Sequence, residues 1–493
     1  MFLSRPAAEH GSNASGEPLL HGNDVFAIEV RGFDYIPESE RNMTLRQIDH
    51  LWLGNSVNMF AFALGALAVS MGLNLWLALL ACVLGNLPYA CMAYGSVVTA
   101  RAGLPVSTLA RAAFGMRGNR PNALLCWIAA VAFEVINTVF GVEALMALFE
   151  LCGWHQSGAA GKLAAVLLQL ALCGGIAVLG HATMLWFQRV FAPLITLALL
   201  TVFAFALGKV DWSQMSVAHA PLGSSSAAGA VLTAAAVIAS NPLSFLFNGP
   251  DWMRYLPSKT QAGSIIGHVF WSSFLSSLVV VSMGAVCATA GDMSDPVSGM
   301  KPLIPGWLFI VYIFAVVGGS LANSIPTYYS SGLSLQALGV RLHRYTATLV
   351  DLIVATLVTL YIVFVQDFST ALNDFIAMLI VWVGPFGGVW IADGVRRGGR
   401  YDPLAIHSHT RRAGGYWGHG GFNLAGCLSL LVGMLAALLT MKSPLYEGPI
   451  AHRLGGTDLS WVVGFPVSRA GYWALTRGRA LHVPDTAISV VHR

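Results

Sequence analysis

Twelve stretches of roughly 20 mostly apolar residues recur along this 493-residue chain, and each is long enough to cross a hydrocarbon core about 30 Å thick as a helix. They lie at 51–70, 73–98, 121–148, 163–179, 184–207, 228–247, 264–290, 307–330, 346–365, 371–392, 422–440 and 459–475. We number them spans 1 to 12. In lipid every backbone N–H and C=O must be paired within the protein, so apolar runs of this length predict helices. The predicted fold class is an all-α integral membrane protein. The weakest boundary is 180–183, where spans 4 and 5 almost touch and one bent helix is the alternative.

Charge supports this reading. Asp, Glu, Lys and Arg make up 10% of the chain, against roughly a quarter in soluble domains, too few to wet the surface of a folded body this size. A soluble enzyme is excluded on that ground. The arginines stand in short separated groups rather than along one face, so no nucleic-acid partner is expected. The seven cysteines sit in or beside apolar runs with no CxxC pair, and read as small hydrophobes rather than metal ligands. The first fifty residues are rich in charge with no apolar core, so insertion is expected to begin with a mature helix rather than a cleaved leader.

With the N-terminus inside, 22 of the 27 Lys and Arg fall on the cytoplasmic side and only Lys162, Lys209, Lys301, Lys442 and Arg453 fall outside. That bias predicts a multi-pass cell-membrane protein with both termini cytoplasmic. The expected organisation is a cytoplasmic segment 1–48, five spans in 49–207, five more in 228–393, a cytoplasmic loop 394–421, two peripheral spans in 422–476 and a cytoplasmic tail 477–493.

Span 6 breaks the apolar pattern with Ser240, Asn241 and Pro242, followed by Asn248, Gly249 and Pro250. Proline removes a backbone donor, so an unwound mid-membrane segment around Asn241 and Pro242 is predicted, a packed kink being the alternative. Span 1 shows a milder version at Gly54, Asn55, Ser56 and Asn58. Spans 1 and 6 each open a set of five, and an odd set reverses direction, so the two sets would be inverted repeats. Interrupted helices at matching places in inverted halves point to a transporter's midplane site.

Several segments then resemble one family: EVRGFDYIPESER (29–41), GLPVSTLARAAFGMRGN (103–119), DWMRYLP (251–257), ANSIPTYYSSGLSLQALG (322–339), VGPFGGVWIADGVRRGGRYD (383–402) and DLSWVVGFPVSRAGYW (458–473). In that order they are similar to the nucleobase:cation symporter-1 family, nearest its purine/cytosine permease branch. The resemblance implies a LeuT-like core of ten helices in two inverted five-helix repeats plus two C-terminal helices. It also implies import of nucleobases or related heterocycles by alternating access. It matches the family's stacking aromatic and neighbouring amide to Phe133 and Asn137, its span 6 contact to Ser240 and Asn241, and its span 8 amide to Asn323. Family members often carry Trp and Gln where this chain has Phe133 and Asn137, which makes a roomier site.

Residue chemistry agrees with the first pair, because positions i and i+4 share a helix face, and an aromatic face beside an amide suits a planar hydrogen-bonding ring. Sodium-coupled relatives use a span 8 hydroxyl pair, where this chain reads Ala315, Val316, Val317, Gly318 and Gly319. A proton is therefore the expected co-substrate, and no metal or other cofactor is expected. Its carrier must be a titratable group inside the membrane: Glu134, three residues before Asn137, is the candidate, with Glu143 second. Asp351 and Asp374, nearer span ends, read as anchors or caps. Asp251 and Arg254 read as a structural or gating pair. His407, His409 and His419 resemble a metal cluster by proximity only and read as solvated loop. The chain is thus expected to be a secondary transporter, not an enzyme, that imports purine bases or cytosine. Alternatives are hydantoin, allantoin, a vitamin B6 or thiamine precursor, or sodium coupling.

Overall fold

Because hydrocarbon offers backbone groups no partners, the apolar stretches satisfy their own, and helices dominate the chain. The computed structural model describes residues 25–29, 32–154, 158–215, 226–340, 342–365, 368–407, 415–443, 445–479 and 481. In order the helices are α1 (Leu45–Ser56), α2 (Met59–Ser70), α3 (Leu75–Asn86), α4 (Tyr89–Ala102), α5 (Val106–Phe114), α6 (Asn119–Leu151), α7 (Gly158–Leu179), α8 (His181–Ala206) and α9 (Ala227–Ser244). There follow α10 (Ala262–Cys287), α11 (Pro296–Met300), α12 (Gly306–Ala337), α13 (Arg344–Phe364), α14 (Phe368–Arg396), α15 (Leu424–Thr440), α16 (Pro449–Arg453) and α17 (Ser460–Thr476). Among the described residues, eight helical segments are individually long and apolar enough to cross a membrane, and α1 with α2 makes a ninth as a bent pair. Helices α14, α15 and α17 coincide with spans 10, 11 and 12.

Two of the expected interruptions take a different form. Span 1, expected to be the milder, is the sharp one: α1 and α2 meet at 55°. Asn58 causes the restart, since its side chain accepts the Ala61 N–H at 2.9 Å as an N-cap and donates to the Asn55 carbonyl at 2.8 Å. In span 6, α9 runs through Ser240, Asn241 and Pro242 without unwinding. The helix stops at Ser244 and resumes as a 3-10 turn over Gly249–Tyr255, so the gap is 245–248. Pro242 costs α9 only the one bond that its missing N–H would make to the Ile238 carbonyl. The 180–183 boundary is a true corner: Gly180 has φ 112°, a conformation that side chains disfavour, and α7 and α8 are separate helices.

The core is the long pair α6 and α12, packed along most of their lengths, with α1, α2, α7 and α13 against them. Helix α10 crosses α2 closely enough that a Cβ on Gly65 would strike the Val281 carbonyl and one on Gly284 the Phe62 carbonyl. Helices α14, α15 and α17 pack together at the periphery.

Candidate functional site

A small cavity lies between the span 6 gap and helices α2, α6, α9 and α12. Phe60 from α2, Phe133 from α6, Asn241 and Ser244 from α9, Phe245 and Asn248 from the gap, and Asn323 and Thr327 from α12 enclose it. Its volume is about 10 Å³, room for one water at most. None of these side chains carries a charge. Phe133 meets Phe60 edge to face at 5.7 Å between ring centroids, and Phe375 at 5.3 Å.

An amide ladder fixes the wall. Asn137 Nδ2 donates to Asn323 Oδ1 at 2.8 Å and to the Phe133 carbonyl at 2.7 Å, and Asn323 Nδ2 donates to the Asn55 carbonyl at the α1 break at 2.6 Å. Ser320 donates to the Asn137 carbonyl and accepts from Gln169 Nε2 at 2.8 Å. Buried amide atoms remain unpaired beside the cavity: Asn248 Oδ1 and both side-chain atoms of Asn55. Of the residues singled out by sequence, Phe133, Asn241 and Asn323 line the cavity, and Asn137 reaches it through Asn323. Ser240 does not line it, because its hydroxyl turns back to the Val237 carbonyl at 2.6 Å. Nor is Pro242 among the lining residues.

Glu134 points to the other side of α6. It is fully buried, and neither carboxyl oxygen makes a well-formed hydrogen bond among the described residues. Asp351 of α13 comes within hydrogen-bonding reach of it. The expectation that Asp351 anchors or caps a span end is corrected: it is fully buried, accepting from Trp127 Nε1 at 2.9 Å and from the Ser331 hydroxyl. Glu143 lies apart, in a separate pocket with Asp295 and Lys162.

A strap formed by the N-terminal segment closes one end of the bundle. Arg254 Nη1 donates to the Gly32 carbonyl at 2.7 Å, its Nη2 meets Glu29 Oε1 at 3.2 Å, and the same Nη2 touches the Tyr329 hydroxyl. Tyr255 donates to Glu29 Oε1 at 2.6 Å, the His181 backbone N–H donates to Glu29 Oε2 at 2.9 Å, and Arg344 Nε donates to the Glu29 carbonyl at 3.1 Å. Burial pushes the Glu29 carboxyl up, but Arg344, Arg254 and His181 together with the Tyr255 bond outweigh it and hold it below the ordinary glutamate range. Asp251 and Arg254, expected as a pair, interact by charge without an ion-pair contact. Arg254 pairs with Glu29, while Asp251 accepts the Val106 N–H at 2.6 Å and fixes the start of α5.

Histidines 407 and 419 do not converge: the His407 ring stacks on Phe33 at 5.0 Å, and His419 pairs through its backbone with Phe422. His409 and the Asp374 side chain lie outside the described residues, as do the expected N- and C-terminal tails beyond 25 and 481.

Residues 35–464 match the family model for permeases for cytosine/purines, uracil, thiamine and allantoin. The chain belongs to that family. Among relatives of the permease, a putative purine-cytosine permease YxlA of Bacillus subtilis is 23% identical over 92% of this chain and 96% of its own. The purine-cytosine permease fcyB of Emericella nidulans is 23% identical over 93% and 92%. The vitamin B6 transporter TPN1 of Saccharomyces cerevisiae is 23% identical over 74% of this chain and 65% of its own. The fold is that of Mhp1, a nucleobase-cation-symport-1 family transporter in a closed conformation with bromovinylhydantoin bound: the TM-score is 0.76 at 15% identity, over 90% of this chain and 94% of that one. The permease is therefore a multi-pass membrane transporter with a LeuT-like fold.

Sequence reasoning missed Phe60, Ser244, Phe245, Asn248 and Thr327 in the cavity wall, Asp351 beside Glu134, and Glu29 in the strap. Thr327 was within reach, because it stands four residues after Asn323 on one helix face. Asn248 stood beside the marked Gly249 and Pro250. The remainder depend on partners far away in the chain.

Proposed function

We propose that the permease imports purine bases or cytosine together with a proton, by alternating access across the cell membrane, with both termini and the strap on the cytoplasmic side. The observation that carries the substrate class is the cavity wall itself. It combines phenylalanine rings with the amides of Asn241, Asn248 and Asn323 and has no charged side chain, which suits an uncharged planar ring with donors and acceptors on its edge. Phe133 would stack on the ring. Asn137, now spent on Asn323, would exchange that bond for one to the substrate as the cavity enlarges, and Asn248 Oδ1 is a free acceptor beside it. The names of the purine-cytosine permeases among its relatives favour the same class.

Proton coupling is supported by the α12 surface at the α1 break. Gly319 is the residue that packs against the Val57 carbonyl there, and the neighbouring hydroxyl of Ser320 is engaged by Asn137 and Gln169. With no hydroxyl pair on α12 there, a hard cation would lack two of the oxygen ligands it needs. Glu134, buried on the helix that carries Phe133 and Asn137, is the proposed proton carrier.

The test is uptake into proteoliposomes of labelled adenine, guanine, hypoxanthine and cytosine against hydantoin, allantoin and pyridoxine, under an imposed proton or sodium gradient. Accumulation of a base driven by the proton gradient, and unaffected by replacing sodium with choline, is expected. Accumulation only of a non-base heterocycle, or only with sodium, overturns the substrate or the coupling reading respectively.

A further inference from the structure

Adjacent residues on α6 and α12 divide between two sides of the seam that these helices form. On α6, Phe133 and Asn137 belong to the cavity and its amide ladder, whereas Glu134 faces Asp351. On α12, Asn323 and Thr327 line the cavity, whereas Tyr328 faces Glu134 and Asp351, and Ser331 donates to Asp351. Neighbouring positions on a helix point about 100° apart, so the α6–α12 seam is a wall with a substrate compartment on one side and a carboxyl compartment on the other.

Inside the second compartment Asp351 accepts from the Trp127 indole and from Ser331, and Ser331 is the hydroxyl that Glu134 also has within reach. The Tyr328 hydroxyl, fully buried, lies near the same two groups and within reach of Thr138. Cys173 is the titratable group facing Glu134 from α7, and no Lys or Arg forms an ion pair with either carboxyl among the described residues. Ionised carboxylates only accept hydrogen bonds. Two of them within reach of each other, away from water and from any cation, require a hydrogen between them.

We propose that Glu134 and Asp351 form a single one-proton site, and that this shared proton is the ion carried with the substrate. The proposal rests on the reading of proton coupling and adds Asp351 as an equal member of the site. Loading adds one proton to a doubly negative pair and leaves a singly negative one, with Glu134 donating to Asp351 and the indole and hydroxyl holding the remaining charge. Release returns the proton to water on the other side. A doubly negative pair is too costly to enclose. Because α6 and α12 wall both compartments, closing around a base and closing around the carboxyls are one movement, so the base-loaded closed state requires the proton, and the empty carrier returns by a path that keeps the carboxyls hydrated.

The experiment compares wild type, Glu134→Gln, Asp351→Asn and the double variant in proteoliposomes, with the best-transported of adenine, hypoxanthine, guanine and cytosine as probe. Gradient-driven accumulation and base-for-base exchange are both measured, after normalising to reconstituted protein. Expected is a fall of the steady-state inside-to-outside ratio to unity in each single variant with exchange retained, and a double variant no worse than either single. Proton-driven accumulation that survives in Asp351→Asn but not in Glu134→Gln overturns the shared site while leaving proton coupling intact. Wild-type accumulation indifferent to the proton gradient, or dependent on sodium, overturns the coupling reading itself and the site with it. Should Asp351→Asn fail to reach the membrane, Ser331→Ala removes a donor but no carboxyl. Losing that donor disfavours the more negative state, so the pH midpoint of uptake should move upward, and an unmoved midpoint overturns the proposal.

Discussion

Replacing Glu29 by Gln should unlatch the strap. Glu29 and Arg254 are 4% and 0% exposed at their side chains, and Arg344 Nε is a second cation at 3.9 Å from Oε2. Removing one partner of a buried ion pair costs about 3–5 kcal/mol, because the remaining charge is left uncompensated. Glutamine keeps one acceptor oxygen, so it can still take the Tyr255 hydroxyl but turns its amide NH2 toward the His181 N–H, and the lower end, about 3 kcal/mol, is the least the change should cost. At 1.4 kcal/mol per tenfold, the balance between strapped and open states shifts roughly 150-fold. Ser330 gives the readout: it is fully buried, one residue from Tyr329, and bonded to Trp252 Nε1 at 3.2 Å beneath the cavity. In a background with the seven native cysteines replaced, thiol labelling of Ser330→Cys from the strap side should accelerate by about two orders of magnitude when Glu29→Gln is added. Acid should act in the same direction. The Glu29 carboxyl is held below its unfolded value, so its contribution is complete above about pH 4.3 and fades as pH falls through the lower folded value. A labelling rate within twofold of the parent would refute the strap as a gate.

Two further outcomes follow from the cavity. Asn137→Ala removes the partner of Asn323 Oδ1 and the proposed edge contact, so base affinity should fall by about 1–3 kcal/mol at normal membrane abundance, measured by competition binding; Phe133→Tyr should be tolerated better than Phe133→Ala, and wild-type affinity in Asn137→Ala removes that residue from the site. A cysteine at Asn241, on the cavity wall, should react with a small hydrophilic thiol reagent and be protected by bound base, while one at Ser240 should react in neither condition. The reverse pattern would mean that α9 is rotated from the orientation described.

Spans were legible because hydrocarbon imposes one rule on every segment, and a local apolar pattern suffices to apply it. The breaks were partly legible, since Asn58 is a readable N-cap, yet weighing Pro242 above Asn248-Gly249-Pro250 put the span 6 gap too early. What one sequence does not carry is partnership at a distance. Distance from a span end made Asp351 look like a cap, and only the packing of α13 on α6 and α12 brings it to Glu134. Glu29 and Arg254 are 225 residues apart, and Asp251 with Arg254 looked like the pair only because they are neighbours in the chain.

The alternation along the α6–α12 seam also constrains how such a chain can change over generations. A single-residue deletion upstream of Phe133 within α6 would turn Glu134 to the direction now held by Phe133, and Thr138 to that of Asn137, because each position is worth about 100° of arc. Loops can lengthen or shorten freely, but these two helices cannot change length within their shared stretch without interchanging the ring-binding and carboxyl faces. New specificities must come by substitution at one face, and since the other face is left untouched, a lineage can exchange its substrate while keeping its driving ion.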